Sequence, residues 1–555
     1  MVTAAYRIPG RGKGPEASTT TGRVRGKYVS KGRISLFAGV PYAKAPTGSR
    51  RWAPPEAAEP WSDVRPCVKA GPTAFQRKQN FDAFFANLVE GLGLSKARTK
   101  ALGAAVKMAR PNESEDCLSL NVRTPTGASN LPVMVWIHGG DHTDGAGSEP
   151  FYASNTLPER GCVLVTINYR LGLLGFLAHP ELSAESEHGV SGNYGLLDQI
   201  AALEWVRDNI GSFGGNPDNV TIFGESAGGE AVLNLMTAPS ARGLFHKAIA
   251  QSPSDSGRWL ALDEPSVGLR SAVDAGVDFA TKLVGSEPGQ LDRLRAMDPV
   301  ELYEAYRADL EAGRHFYPCI DGRVLPLAPM AAFGNGTAAD VPLMIGYNAD
   351  EGSLLWRFMH PAGAEFGPGS PGEISPEQVR QALETSYGSS DAVDALYAAY
   401  PGLESLESEA LERHCGDHMF GVHVDHASRC RSGHGSPTYR YHWRAVPASP
   451  TQTIGAYHAA EVFYLFDTQL PLVPAPSDAH LLVREMGDRW FAFASTGSPN
   501  SPGRPDWPQY IEGDPVHMVF NRPTSAAEPC PAQPGLDLMR ERIRRLSLTT
   551  DQVST

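Results

Sequence analysis

The sequence predicts an α/β protein built on a large, mostly parallel sheet flanked by helices. Two observations carry this. Short, almost wholly apolar runs recur at residues 132–138 (PVMVWIH), 162–169 (CVLVTINY), 220–224 (VTIFG) and 343–346 (LMIG). Between them lie segments with apolar residues at helical spacing, the clearest at 195–210 (GLLDQIAALEWVRDNI), a helix expected to stop at Gly211. Strands buried on both faces read as continuous apolar runs, and intervening helices supply the crossovers that parallel pairing needs.

Taken in order, residues 1–60 carry short β-type runs, 22–28 and 34–40, broken by Gly and Pro as small hairpins are. Residues 76–110 predict one or two amphipathic helices with aromatics at Phe81, Phe84 and Phe85. Ordinary helix packing and a lid over a pocket are both open readings for them. The later chain, 375–400 and 479–496, is mostly helical, with one strand near 438–443. Ser375 followed by Pro376 fits an N-cap and first helical position. No repeat or low-complexity linker interrupts the 555 residues, so one domain over 1–555 is expected.

The 49 Lys+Arg against 62 Asp+Glu give a net charge of −13 with no long basic run, which argues against nucleic acid or an anionic membrane as partner. No stretch approaches a membrane span, and the N-terminal segment lacks the apolar core of a secretory signal. The seven cysteines are odd in number and widely scattered, unlike a disulfide framework. A soluble protein, monomeric or weakly dimeric, is expected, cytoplasmic or, as an open alternative, a processed secreted form.

The chemistry concentrates at residues 223–229 (FGESAGG), which follow an apolar strand and open a small-residue helix. This is a G-x-S-x-G turn in the setting that exposes a nucleophilic hydroxyl, here Ser226. Upstream, residues 136–141 (WIHGGD) end an earlier strand with a Gly-rich loop whose amides can face a developing oxyanion. Ala227, next after the nucleophile, offers a further amide.

Longer segments then match in order: 37–43 (FAGVPYA), 114–121 (SEDCLSLN), 168–172 (NYRLG), 192–199 (GNYGLLDQ) and 213–217 (FGGNP). With the Ser226 turn they resemble the type B carboxylesterase family of the α/β-hydrolase fold, over about residues 20–520. That family includes cholinesterases and bacterial para-nitrobenzyl esterases. The resemblance implies hydrolysis of a small-molecule ester through an acyl-enzyme, without metal or organic cofactor. It selects Glu351 in 346–352 (GYNADEG) as the triad acid, with Asp350 one residue out of register. It selects His458 in 455–461 (GAYHAAE) as the histidine. Gly140, Asp141 and Ala227 become the oxyanion donors. Ser252 and Trp259 resemble a buried serine near the histidine and an acyl-pocket wall, or are plain packing.

The sequence departs from the family at Asp141, where a third glycine is usual, and at His142, where an aromatic is usual; His142 joins Trp259 as a candidate substrate-binding residue. A carboxylate there repels an oxyanion unless it turns away, is protonated or pairs with His142. Altered substrate scope and an outward-facing Asp are both open. The usual partner of a cysteine at Cys117 is replaced by Ala74, which puts that disulfide in doubt; Cys67 could substitute only if its loop permits. The cluster His414, Cys415, His418, His423, His426, Cys430 invites a zinc reading, but no metal-binding spacing motif accompanies it and no metal site is assigned. Rivals to ester hydrolysis are carbamate or amide hydrolysis by the same triad, and a catalytically inactive binding homologue.

Overall fold

The computed structural model describes residues 14–76, 78–109, 112–254, 260–263, 270–311, 315–355, 375–433, 435–447, 451–468, 477–521, 524–531 and 533–551. In chain order its strands are β1 (Glu16–Thr19), β2 (Gly22–Arg25), β3 (Lys27–Val29), β4 (Ile34–Pro41), β5 (Arg65–Pro66), β6 (Ser119–Pro125) and β7 (Leu131–Ile137). They continue with β8 (Val163–Ile167), β9 (Gly215–Glu225), β10 (Lys247–Gln251), β11 (Leu343–Asn348), β12 (Thr438–Trp443), β13 (Val516–Phe520) and β14 (Ser525–Pro529). β1, β2 and β5 form a small sheet; the others form one 11-stranded sheet ordered β14-β13-β12-β11-β10-β9-β7-β8-β6-β4-β3. From β13 through β8 every pairing is parallel, and antiparallel pairs extend both sides.

Strand β7 shows why the central runs are continuously apolar. Val133, Val135 and Ile137 join a core with Leu196, Ile200 and Leu203 of the helix Tyr194–Asn209. Met134 and Trp136 point the other way, into a core with Met486 and Trp490 of the helix Ala479–Thr496. Both faces of the sheet are therefore covered, and neither side of the strand can be polar.

The expected N-terminal hairpins are present as the antiparallel pairs β1–β2 and β3–β4. Residues 76–110 form two helices, Lys78–Gly91 and Lys96–Ala109. Ser375 caps the helix Pro376–Tyr387 through a complete capping box with Gln378. The 194–209 helix does not stop at Gly211: it tightens into a 3₁₀ turn, Ile210–Phe213, and ends at Gly214 with φ 83°.

All seven cysteines are unpaired, Cys67 and Cys117 among them. Because the central strands run parallel, their carboxyl ends share one edge of the sheet. The loops after β7, β9, β10, β11 and β12 meet there, which is where open α/β sheets place their ligands.

Candidate active site

Ser226 follows β9 directly and caps the helix Ala227–Thr237 with φ 58° and ψ −126°, a conformation that residues with a side chain rarely adopt. It persists because its neighbours leave no alternative. The Ser226 amide donates to Gln251 O at 3.0 Å, and a Cβ on Gly228 would run into the Ile137 carbonyl. Ser226 is half-buried between the buried Glu225 and Ala227, so its side chain keeps access to solvent.

Glu351 lies just beyond β11 and is 1% exposed. Its Oε2 is 2.6 Å from His458 Nδ1, while its Oε1 accepts from Ser252 Oγ at 2.6 Å and the Asn348 amide at 2.7 Å. These donors fix the carboxylate and thereby the imidazole. Asp350 is exposed, and its Oδ2 accepts from the Ala456 amide at 2.7 Å, tying down the loop that carries His458. Asn348 Nδ2 adds a bond to Tyr457 O at 2.8 Å. Phe420 stacks on the imidazole with centroids 4.7 Å apart, presented by the π-helical turn Asp417–Gly421.

Two buried carboxylates that the sequence reading assigned no role stand beside this pair. Glu225 Oε1 is 3.2 Å from His458 Nε2, and burial raises its pKa against the pull of His458. Glu461 accepts from Gln251 Nε2 at 3.0 Å and Asn348 Nδ2 at 2.7 Å, and burial raises its pKa too. Burial alone would depress the His458 pKa, but Glu225 and then Glu351 overcome it and raise it. The available signal was an acidic residue inside each of two otherwise apolar or small-residue runs.

The loop after β7 runs against Ser226: a Cβ on Gly139 would lie 3.2 Å from Ser226 Cβ. Tyr169 OH anchors its start by donating to His138 O at 2.8 Å. Gly140 (φ 109°), Asp141 (φ 54°) and His142 (φ 52°) turn it through the left-handed region. Among the described residues the amides of Gly140, Asp141 and Ala227 have no backbone acceptor. Asp141 does not pair with His142. Its Oδ2 accepts from Tyr317 OH at 2.9 Å, whereas His142 is buried with Nε2 3.2 Å from Glu230 Oε1. Trp259 lies outside the described residues.

His414 stacks on His418 at 5.7 Å, and His426 Nε2 lies 3.0 Å from Met330 O. Among the described residues no three His, Cys, Asp or Glu converge as metal ligands. Among them, too, no helix is long and apolar enough to cross a membrane.

The carboxylesterase family model matches residues 13–534. The chain belongs to the carboxylesterase family. It is 32% identical to the fumonisin B1 esterase of Sphingopyxis macrogoltabida over 92% of this chain and 87% of that protein. It is 34% identical to the para-nitrobenzyl esterase of Bacillus subtilis over 89% of this chain and 92% of that one. The solved structure of a PNB esterase superposes with a TM-score of 0.75 at 32% identity, covering 94% of this chain and 99% of that one. A Geobacillus stearothermophilus carboxylesterase gives 0.73 at 29% identity, covering 95% and 99%. This carboxylesterase-family member has the α/β-hydrolase fold and is a carboxylic ester hydrolase.

Proposed function

We propose that the protein cleaves small-molecule carboxylic esters through an acyl-enzyme on Ser226. The observation that carries this reading is the 2.6 Å contact of Glu351 with His458 Nδ1, which turns Nε2 toward the strand end bearing Ser226. Neutral His458 takes the Ser226 proton through Nε2 as Oγ attacks the acyl carbon. Glu351 holds the tautomer and stabilises the imidazolium. The proton then passes to the departing alcohol, and water, deprotonated by the same nitrogen, releases the acid and restores Ser226.

The amides of Gly140, Asp141 and Ala227 serve as the oxyanion donors, each worth about 100- to 1,000-fold in turnover. A role for the helix Lys78–Gly91 at the rim of the site is supported by the bond from the Thr453 amide to Gly91 O at 2.8 Å, which ties the helix to the loop leading to His458. The helix's service as a lid belongs to this proposal. Unpaired cysteines support a cytoplasmic location. The large hydrophobics exposed among the described residues, Val300, Leu481 and Ile511, are scattered, which supports a monomer or weak homodimer.

The test is hydrolysis of matched ester, carbamate and amide substrates by the purified protein, with a fluorophosphonate label mapped to its residue. Preferential ester cleavage with label on Ser226 is expected. Faster carbamate or amide cleavage would transfer the assignment to that class.

A further inference from the structure

The loop proposed to bind the oxyanion carries two consecutive residues with side chains, Asp141 and His142, at φ 54° and 52°. Left-handed backbone is strained for such residues, least for Asp and Asn, and two in a row persist only when their surroundings hold them. The relief open to this turn is a flip of the peptide between Gly140 and Asp141, since glycine accepts the change on its side. That flip would replace the Asp141 N–H by the Gly140 carbonyl and destroy a donor. Bonds from the Thr143 and Asp144 amides to Gly140 O, at 3.0 and 2.8 Å, resist it from within the loop. The Gly172 amide holds the His142 carbonyl at 2.7 Å.

From outside, one side chain touches both strained residues. Tyr317 OH donates to Asp141 Oδ2 at 2.9 Å, and its ring meets the His142 ring edge to face with centroids 6.4 Å apart. Tyr317 is itself half-buried and stacked on His315 at 5.3 Å with planes 12° apart. The hydroxyl also engages the carboxylate that would otherwise be free to swing toward the reacting oxygen.

We propose that Tyr317 is a positioning residue for the oxyanion loop, acting through Asp141 and His142. It keeps the Asp141 amide available and the Asp141 carboxylate turned away. The inference rests on Gly140, Asp141 and Ala227 being the oxyanion donors. It explains how a carboxylate occupies a position where relatives are expected to carry glycine.

The experiment is Tyr317→Phe, which keeps the ring and removes one hydroxyl, made in the wild type and in Asp141→Gly. In the wild type kcat should fall about tenfold with KM within about twofold, and a trifluoromethyl ketone should bind about tenfold more weakly. The melting temperature and the final extent of fluorophosphonate labelling at Ser226 should not change, which separates loss of positioning from loss of fold. In the Asp141→Gly background, where the backbone needs no clasp and no carboxylate needs turning, Tyr317→Phe should change kcat by less than about twofold. A wild-type loss smaller than twofold would overturn the proposal, as would an equal loss in both backgrounds. A wild-type protein unlabelled at Ser226 would overturn the proposed function itself.

Discussion

Glu225 Oε1 lies 3.2 Å from His458 Nε2, so the carboxylate preceding Ser226 in sequence touches the nitrogen that receives the Ser226 proton in the proposed mechanism. His458 works as a base only when neutral, and Glu225 and Glu351 hold its pKa up. The acid limb of the kcat/KM profile therefore stands higher than an ordinary imidazole would place it. Glu225→Gln removes one of the two negative neighbours and should move that limb to lower pH, by about one unit. A pH titration of kcat/KM on a neutral ester checks this. A limb that stays put or moves upward would show that Glu225 does not act on His458.

Adjacent acids provide a second test, because Glu351 and Asp350 bond to different partners. Glu351 contacts the His458 ring, whereas Asp350 contacts the Ala456 backbone. Glu351→Gln should cost about 10³- to 10⁴-fold in kcat, the scale of a triad acid lost to its amide. Asp350→Asn keeps an oxygen for the Ala456 amide and should cost less than about tenfold. Steady-state kinetics of the two variants would reverse the assignment if Asp350→Asn proved the more damaging.

Stability should fall on acidification below about pH 6.5, because histidines buried neutral in the fold bind protons only when the chain unfolds. Burial lowers the pKa of His138, His414 and His426 to about 4 and of His517 to about 3, and lowers His442 as well. The unfolded chain binds protons at these histidines near pH 6.5 and the folded chain does not, so falling pH favours unfolding. Each contributes up to about 1.4 kcal/mol per pH unit between its unfolded and folded pKa. Glu225 and Asp417, raised by burial to about 8 and about 6, oppose this over part of the range, as do Glu461 and Asp198, which burial also raises. His458 opposes it at higher pH. Melting temperatures measured from pH 6.5 to 5 should decline; a flat or rising curve over that span would contradict the balance.

Much of this was legible in the sequence where a local pattern has one structural solution. A G-x-S-x-G turn between an apolar strand and a small-residue helix leaves little choice for Ser226, and long linear motifs set the register of Glu351 and His458. Strand β10 was not legible because its sequence, KAIAQ, begins and ends with polar residues. Both are buried with partners far away in the chain: Lys247 on Asn219, Gln251 on Glu461 and Trp490. β6 was missed for the opposite reason: its alternating burial is that of a strand outside the parallel centre, not a continuous run. Glu225 and Glu461 carry no periodic signature, since their burial depends on several strand ends meeting. Tyr317 lies 176 residues from Asp141, a pairing that only the folded chain reveals.

The central claim is that Ser226 Oγ is the atom that becomes acylated. Its most direct test is the turnover of purified Ser226→Ala on an activated ester, measured beside the wild type. Removing a half-buried hydroxyl leaves the core packing intact, so the variant should fold and melt with the wild type. Its kcat should fall by about 10⁵- to 10⁶-fold, the scale of a lost serine nucleophile. A folded Ser226→Ala protein that kept turnover within about tenfold of the wild type would contradict the account, because no acyl-enzyme on Ser226 could then lie on the reaction path.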